Sequence, residues 1–239
     1  ENANSGYAAI IRATLLAQAG LTGESVVNQE VDRSLEVFRR LSSYGELADF
    51  TVRYGDKLVF RDGAMFPDYY TLKLLAFTDS WKSEENLGIV AAGFRNLLRL
   101  QPLPMIYILM KGQLIAPAWY AMQDFNVPFI TCCEAKKAPW LRQNEFIARM
   151  GILEQSDFHQ VMQDVNSMYD DPEMLRRAVH SIGNPYCFMR WGSYGGLALE
   201  DDWRSDTKKC NDILFRVLLI RQYSLQAHAK QPNAVCRDR

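Results

Sequence analysis

The sequence predicts an all-α fold built of antiparallel helical hairpins, with one small β-hairpin. Apolar residues recur every three or four positions in most segments, which is typical of amphipathic helices. The shorter period of strands is confined to one segment, residues 50–60. The chain has 239 residues, of which 48% are hydrophobic and 23% are charged, as in ordinary folded proteins. We therefore expect a single, mostly helical domain over residues 1–239.

The amino-terminal part begins with two predicted helices and then the hairpin. The first helix, Tyr7–Ala19, ends at Gly20, a residue type that favours helix termini. The second, Glu24–Leu41, spaces its apolar residues by three or four and places charges between them. In Phe50–Phe60, two short runs with β-branched residues flank the turn-forming pair Gly55-Asp56, which predicts a β-hairpin.

Three further segments lead to the middle of the chain. Pro67 can begin a third helix, Asp68–Phe77. Acidic residues after Ser83 suit a helix amino terminus, so a fourth helix is expected from there to about Arg99. The segment Met105–Phe125 is the most apolar of the chain, and we expect one or two buried helices within it.

The carboxyl-terminal part is also predicted to be helical. Residues 126–139, with two prolines and two adjacent cysteines, favour a loop. The polar residues 231–239 favour a flexible tail. Helices are expected at about 140–153, 157–169, 172–180 and 207–226.

Charge and cysteine content exclude several classes of protein. The chain has 27 basic and 28 acidic residues, so it lacks the basic surface expected of a nucleic-acid-binding protein. No apolar run approaches the roughly 20 residues of a membrane span. The five cysteines are odd in number and have no C-x-x-C spacing, which favours reduced thiols in a cytoplasmic protein. The sequence does not indicate an oligomeric state.

One acidic string near the carboxyl terminus contains the candidate catalytic and metal-binding residues. Its Asp201, Asp202 and Asp206 resemble the D-D-x-x-x-D pattern of isoprenoid diphosphate synthases, in which spaced carboxylates share Mg²⁺ with a diphosphate. Asn211-Asp212 is a weak start for the second acidic motif of those enzymes. The alternative is that the acids precede the last helix and satisfy its amides and dipole.

Two glutamates are candidate general acids. Glu200, together with Asp202, is the candidate catalytic pair of the string, and Glu145 is a further candidate, because burial raises the pKa of a carboxyl group. The alternative for both glutamates is a structural salt bridge, with Arg149 among the expected partners.

Aromatic residues provide a second kind of candidate site. Aromatic walls suit flat or isoprenoid ligands, and their ring faces stabilise cations. The alternative is ordinary core packing. The candidate ligand-binding residues are Trp119, Tyr120, Trp191, Tyr194 and Trp203.

Three segments resemble a known helical family. Pro67–Leu75 (PDYYTLKLL), Trp140–Leu153 (WLRQNEFIARMGIL) and Asn211–Ile220 (NDILFRVLLI) resemble the helical-hairpin repeats of the squalene-cyclase and prenyltransferase-like α/α-toroid superfamily. For a chain of this length the resemblance implies a partial toroid. The chain departs from the D-x-D-D acid of class II cyclases, since Leu199 occupies the position of the first Asp.

Two hypotheses for function follow. The favoured one is a non-catalytic scaffold that binds a protein partner, because the helical hairpins carry no completed catalytic motif, and it needs no cofactor. The alternative is a protein or enzyme that binds an apolar or isoprenoid molecule, with the acidic cluster at the mouth of an aromatic-lined cavity and Mg²⁺ as its cofactor.

Overall fold

The structure, a computed structural model, describes residues 3–116, 126–153, 156–183, 199–200 and 203–229. The chain divides into two compact units, Glu1–Gln123 and Asp124–Arg239. The expectation of a single domain stays a prediction.

Helices predominate in both units, as the sequence predicts. The described residues of the first unit form α1 (Ala3–Gln18), α2 (Ser25–Ser43), β1 (Thr51–Tyr54), β2 (Lys57–Phe60), α3 (Tyr69–Ala76), α4 (Glu84–Arg99), β3 (Ile106–Met110) and β4 (Gln113–Ile115). Those of the second unit form α5 (Glu134–Met150), α6 (His159–Asp170), α7 (Pro172–His180) and α8 (Asp206–Ala229). None of these helices combines the length and the hydrophobicity that a membrane crossing requires.

Side-chain caps explain where three of the helices begin. The Asp68 carboxylate accepts a hydrogen bond from the Thr71 amide, 2.8 Å away, at the start of α3. Ser83 caps α4, and Asp171 caps α7 immediately before Pro172. Each cap satisfies an amide that has no partner within the helix. The predicted starts of these helices are confirmed to within a residue or two.

The core of the first unit lies where α2 packs against α4. The rings of Phe38 and Phe94 lie 5.1 Å apart and are fully buried. Gly93 permits this approach, since a Cβ atom at that position would lie 2.7 Å from Cδ1 of Phe38 and 3.1 Å from its carbonyl oxygen. The two helices therefore pack closely because one of them lacks a side chain at the contact.

The end of α4 also holds the end of α2. The Asn96 side-chain amide donates to the carbonyl oxygens of Leu41 (2.7 Å) and Tyr44 (2.8 Å). Arg99 donates to the carbonyl oxygens of Tyr44 (3.0 Å) and Gly45 (2.8 Å). These bonds satisfy backbone acceptors that a helix carboxyl terminus leaves without partners.

The first unit contains a four-stranded sheet in the order β1-β2-β3-β4. The predicted hairpin is confirmed, with β1 antiparallel to β2 and a turn in which Gly55 has a φ of 62°. Strand β3 runs parallel to β2, and β4 is antiparallel to β3. On the side that faces the core, Phe60 packs with Phe50 and Phe66 at ring distances of 6.4 and 5.7 Å.

The prediction of buried helices in Met105–Phe125 is wrong for the part that the structure describes. A second hairpin, β3–β4, occupies residues 106–115, and residues 117–125 lie outside the described part. The reason is the turn, because Lys111 and Gly112 have φ values of 50° and 78°. Consecutive positive φ values produce the tight turn that joins antiparallel strands. The all-α prediction is therefore corrected to a helix-dominated fold with a small sheet.

The predicted loop at 126–139 is also partly wrong, since α5 begins at Glu134 and contains Pro139. Proline removes one backbone donor from a helix. Burial of apolar side chains on both sides of it, at Ala138, Trp140 and Leu141, stabilises the helix by more than the lost bond destabilises it. Helix α5 packs against α8, which also contacts α6 and α7. The predicted tail, residues 231–239, lies outside the described residues.

Candidate functional site

The last aspartate of the acidic string lies at the start of α8. Asp206 is exposed, and its carboxylate contacts Nε2 of His180 and Nζ of Lys209, each at 3.2 Å. The hydrogen bonds from His180 and Lys209 lower the pKa of Asp206, and the one from His180 has the larger effect. An ionised carboxylate in the first turn also suits the helix dipole. The one described aspartate of the string thus has structural contacts at a helix start, and its role as a metal ligand stays a prediction.

The other aspartates of the string, Asp201 and Asp202, lie outside the described residues, so their roles as metal ligands and as a catalytic group stay predictions. In the part of the chain that the structure describes, no group of three or more His, Cys, Asp and Glu side chains is placed to hold a metal ion.

Asp212 fixes the segment that precedes α8. Its buried carboxylate accepts hydrogen bonds from the amides of Leu199 (2.7 Å) and Glu200 (3.3 Å) and from Nε1 of Trp203 (2.5 Å). Glu200 in turn accepts a bond from Nδ2 of Asn211, at 2.9 Å. The sequence places Asp212 at a weak start for a second acidic motif, whereas its described contacts anchor a loop and one indole. Asp212 lies nine residues after Trp203, so no local pattern signals this role.

Trp203 is the one candidate ligand-binding aromatic that the structure describes. Its side chain is buried and its indole N–H is bonded to Asp212. The other four candidates, Trp119, Tyr120, Trp191 and Tyr194, lie outside the described residues. The aromatic-lined cavity therefore stays a prediction.

Glu145 lies on α5, where three guanidinium groups contact its buried carboxylate. Nη1 of Arg216, on α8, is 3.1 Å from Oε2, and Nε of Arg149 is 3.4 Å from Oε1. Nη1 of Arg142 is 3.7 Å from Oε2. The predicted pairing of Glu145 with Arg149 is confirmed. We call Arg142, Glu145, Arg149 and Arg216 the arginine cluster.

Within the arginine cluster, the surroundings of Arg216 disfavour its positive charge. Burial lowers the pKa of Arg216, and the neighbouring Arg142 lowers it further. The opposite effects of Glu145 and Asp212 do not reverse this direction. Arg216 has no local sequence pattern that pairs it with Glu145, since the two lie on separate helices. Arg142 lies three residues before Glu145 on α5, so its spacing was a local signal that the sequence prediction did not use.

Lys137 is a buried basic residue of α5. Its ammonium group donates to the carbonyl oxygens of Phe129 (2.5 Å) and Ile130 (3.2 Å) and lies 4.7 Å from the Phe129 ring centroid. Burial lowers its pKa. Because Cys132 is buried and Cys133 exposed, the nearby thiols differ in access to solvent. The contacts of Lys137 attach the preceding loop to the helix.

The sheet of the first unit presents an apolar outer face. Residues directly opposite each other on neighbouring strands point to the same side of a sheet. Val52 lies opposite Val59, which lies opposite Tyr107, and Leu109 lies opposite Leu114. Tyr54 and Lys57 pair with each other at the end of β1, and they lie on the same side as Val52 and Val59, two residues away along each strand. We define the outer face as Val52, Tyr54, Lys57, Val59, Tyr107, Leu109 and Leu114.

Four apolar side chains of the outer face are substantially exposed, whereas Val59, which lies between the strands that carry them, is only 2% exposed. The exposed fractions are 45% for Val52, 45% for Tyr54, 38% for Leu109 and 39% for Leu114. Grouped apolar exposure of this kind marks interaction surfaces, whereas single exposed apolar residues are normal. The outer face is therefore the candidate interaction site. No family model, curated protein or solved structure matches the chain.

Proposed function

We propose that the chain is a non-catalytic scaffold that binds a protein partner through the outer face of its sheet. The observation that supports this proposal is the grouping of Val52, Tyr54, Leu109 and Leu114 on one exposed side of four paired strands. Apolar area that is exposed to water favours association, because covering it removes that area from water.

The free energy gained by covering these four side chains would account for part of an interface. Full burial of such a side chain contributes roughly 1.5–3 kcal/mol. With the exposed fractions above, covering each of the four side chains would contribute about 1 kcal/mol. A micromolar complex needs about 8 kcal/mol of net binding free energy. The remainder would come from polar contacts and from backbone bonds to β1 and β4, the outermost strands of the described sheet.

The ligand-binding alternative has less support. Its described acid, Asp206, contacts His180 and Lys209 at the helix start, and its described aromatic, Trp203, donates to Asp212. Both side chains already have structural contacts. We also propose a partial-toroid arrangement, a relationship to the toroid superfamily and a cytoplasmic location. These three points rest on the sequence alone.

The test compares the intact chain with variants of its exposed leucines. The site variant carries Leu109→Ser and Leu114→Ser. The control variant carries Leu15→Ser and Leu21→Ser, which change two leucines that are 61% and 50% exposed and lie outside the sheet. Each protein is used as bait in extract of its source cells, and quantitative mass spectrometry identifies what it retains. A retained protein is then purified and titrated against all three baits by calorimetry.

The proposal expects a directly binding protein whose dissociation constant rises about tenfold or more in the site variant, which corresponds to about 1.4 kcal/mol. The control variant should bind as the unchanged chain does. Equal weakening by both variants, or unchanged binding by the site variant, would contradict the assignment of the outer face.

A further inference from the structure

We propose that the chain forms a dimer in which the exposed side of α8 packs against the same side of α8 in a second copy. The proposal concerns the second unit and is independent of the sheet and its partner.

Helix α8 is apolar on two opposite sides. On one side Ile213, Val217 and Ile220 are buried, where α8 packs against α5, α6 and α7. On the other side Leu218 and Leu225 are 42% and 56% exposed. A helix at the surface of a domain normally turns charged and polar residues toward water, whereas a helix that is apolar all round is covered on all sides. The second apolar side of α8 therefore indicates a surface that association covers.

The exposed side forms one stripe along the helix. Its members follow one another at spacings of three or four residues, which places them on the same side of a helix. Each of them is at least partly exposed. At a rise of 1.5 Å per residue the stripe extends for about 21 Å. We define the α8 stripe as Asn211, Leu214, Phe215, Leu218, Gln222 and Leu225.

The α8 stripe carries no charged side chain. The two arginines in this part of the helix have other contacts, since Arg216 is buried against Glu145. Arg221 contacts Asp170 at 3.5 Å and lies 3.9 Å from the ring centroid of Tyr169. Charged residues are depleted at the centre of protein interfaces. The stripe therefore has the composition of an interface centre, although α8 is exposed there.

The absence of charge favours a second copy of the chain as the occupant. In a two-fold symmetric dimer the same surface patch of each copy meets itself. A charged stripe would repel its own copy, because like charges would come together. An uncharged stripe has no such repulsion, and it offers no ion pair to a charged partner.

An antiparallel arrangement makes the α8 stripe complementary to itself. A two-fold axis between residues 221 and 222 places Leu218 of each copy against Leu225 of the other. The same axis brings the two copies of Gln222 together near the centre. A side-chain amide both donates and accepts hydrogen bonds, so these two can pair with each other. A parallel arrangement would instead place each leucine against its own counterpart.

The size of the stripe limits the strength of the dimer. A stable interface of standard size takes about 20–30 residues from each partner, whereas the α8 stripe provides six. We therefore expect a weak dimer that forms as the protein concentration rises.

The experiment measures the mass of the purified full chain by sedimentation equilibrium over a wide range of concentration. The site variants are Leu218→Glu and Leu225→Lys, each measured alone and then as an equimolar mixture. The matched control is Leu15→Glu, which changes a leucine of α1 that is 61% exposed. A chain with Leu109→Ser and Leu114→Ser tests whether the outer face contributes. Circular dichroism checks that each variant is folded.

We expect a monomer–dimer equilibrium in the unchanged chain. Each site variant alone should raise the dissociation constant about tenfold or more, because it places a charge against a leucine of the second copy. The mixture should associate again, since the antiparallel contact then brings the introduced carboxylate of one chain to the introduced ammonium of the other. The control and the outer-face variant should associate as the unchanged chain does.

Four results would overturn the proposal. The first is a chain that stays monomeric up to about 1 mM, as it would if a different protein or another segment of the chain covered the stripe. The second is a dimer that Leu218→Glu leaves intact, and the third is a dimer that the outer-face variant abolishes. The fourth is a mixture no heavier than its separate components at the same total concentration. If a charged variant does not fold, the serine variants of Leu218 and Leu225 replace it, and their unchanged association would overturn the proposal as well.

Discussion

Replacing Gly93 by alanine should destabilise the first unit although alanine is the better helix former. The added Cβ atom would lie 2.7 Å from Cδ1 of Phe38 and 3.1 Å from its carbonyl oxygen. A side-chain rotation relieves the first contact, but only a shift of α2 relieves the second. Overpacking of this kind destabilises by about 1–3 kcal/mol, and the gain in helix propensity is about 1 kcal/mol. We expect a net loss of up to about 2 kcal/mol.

Gly88 on the same helix provides the control. It is exposed, and a Cβ atom there would meet nothing within 4 Å. Gly88→Ala should therefore stabilise the chain by up to about 1 kcal/mol. Urea denaturation followed by circular dichroism measures both variants. The reasoning fails if Gly93→Ala is as stable as Gly88→Ala. Adding Phe38→Leu to Gly93→Ala should relieve the side-chain contact but leave the contact with the carbonyl oxygen.

Three further predictions concern buried charged groups. Burial raises the pKa of Glu30, whose Oε2 has no hydrogen-bond partner among the described residues. The free energy of unfolding should therefore fall as the pH rises from the pKa of Glu30 in the unfolded chain through its higher pKa in the folded chain. Glu30→Gln should then stabilise the chain at neutral pH by about 1 kcal/mol, and denaturation near pH ~4, below the unfolded pKa, should show this advantage disappearing. Asp212→Asn should destabilise by about 1–3 kcal/mol because Trp203 and two amides lose a charged acceptor, and urea titration that shows no loss would refute the anchoring role. Burial lowers the pKa of Lys137. The chain should therefore gain stability as the pH rises from the pKa of Lys137 in the folded state toward its value near ~10.4 in the unfolded state. If the free energy of unfolding of a Lys137→Met chain depended on pH in the same way, this prediction would be contradicted.

Local signals explain which parts of the fold the sequence predicts. Ser83 and Asp171 cap the helices predicted after them because capping depends on residues only a few positions apart. The first hairpin is predictable for the same reason, since Gly55 marks its turn. The second hairpin is harder to predict, because the apolar content of Met105–Phe125 does not distinguish a strand from a buried helix. The local signal for it is the pair Lys111-Gly112, which forms its turn.

The site depends on contacts between elements that are distant in the chain. Arg216 lies 71 residues from Glu145, and the outer face combines strands β1 and β4 that other elements separate. Neither arrangement has a local sequence pattern. The pairing of Glu145 with Arg149 is predictable, because the two are four residues apart on one helix. The approach of Arg216 from α8 is not, because no spacing in the sequence relates it to Glu145.

The apolar character of the outer face makes a specific demand on its partner. Binding requires that the partner cover Val52, Tyr54, Leu109 and Leu114, so its affinity should increase with the apolar area buried and change little with salt. Contacts between exposed charged side chains behave differently, because salt screens them. Retention of the partner at high salt is therefore the expected result, and loss of the partner at high salt would contradict the assignment of the contact to the outer face.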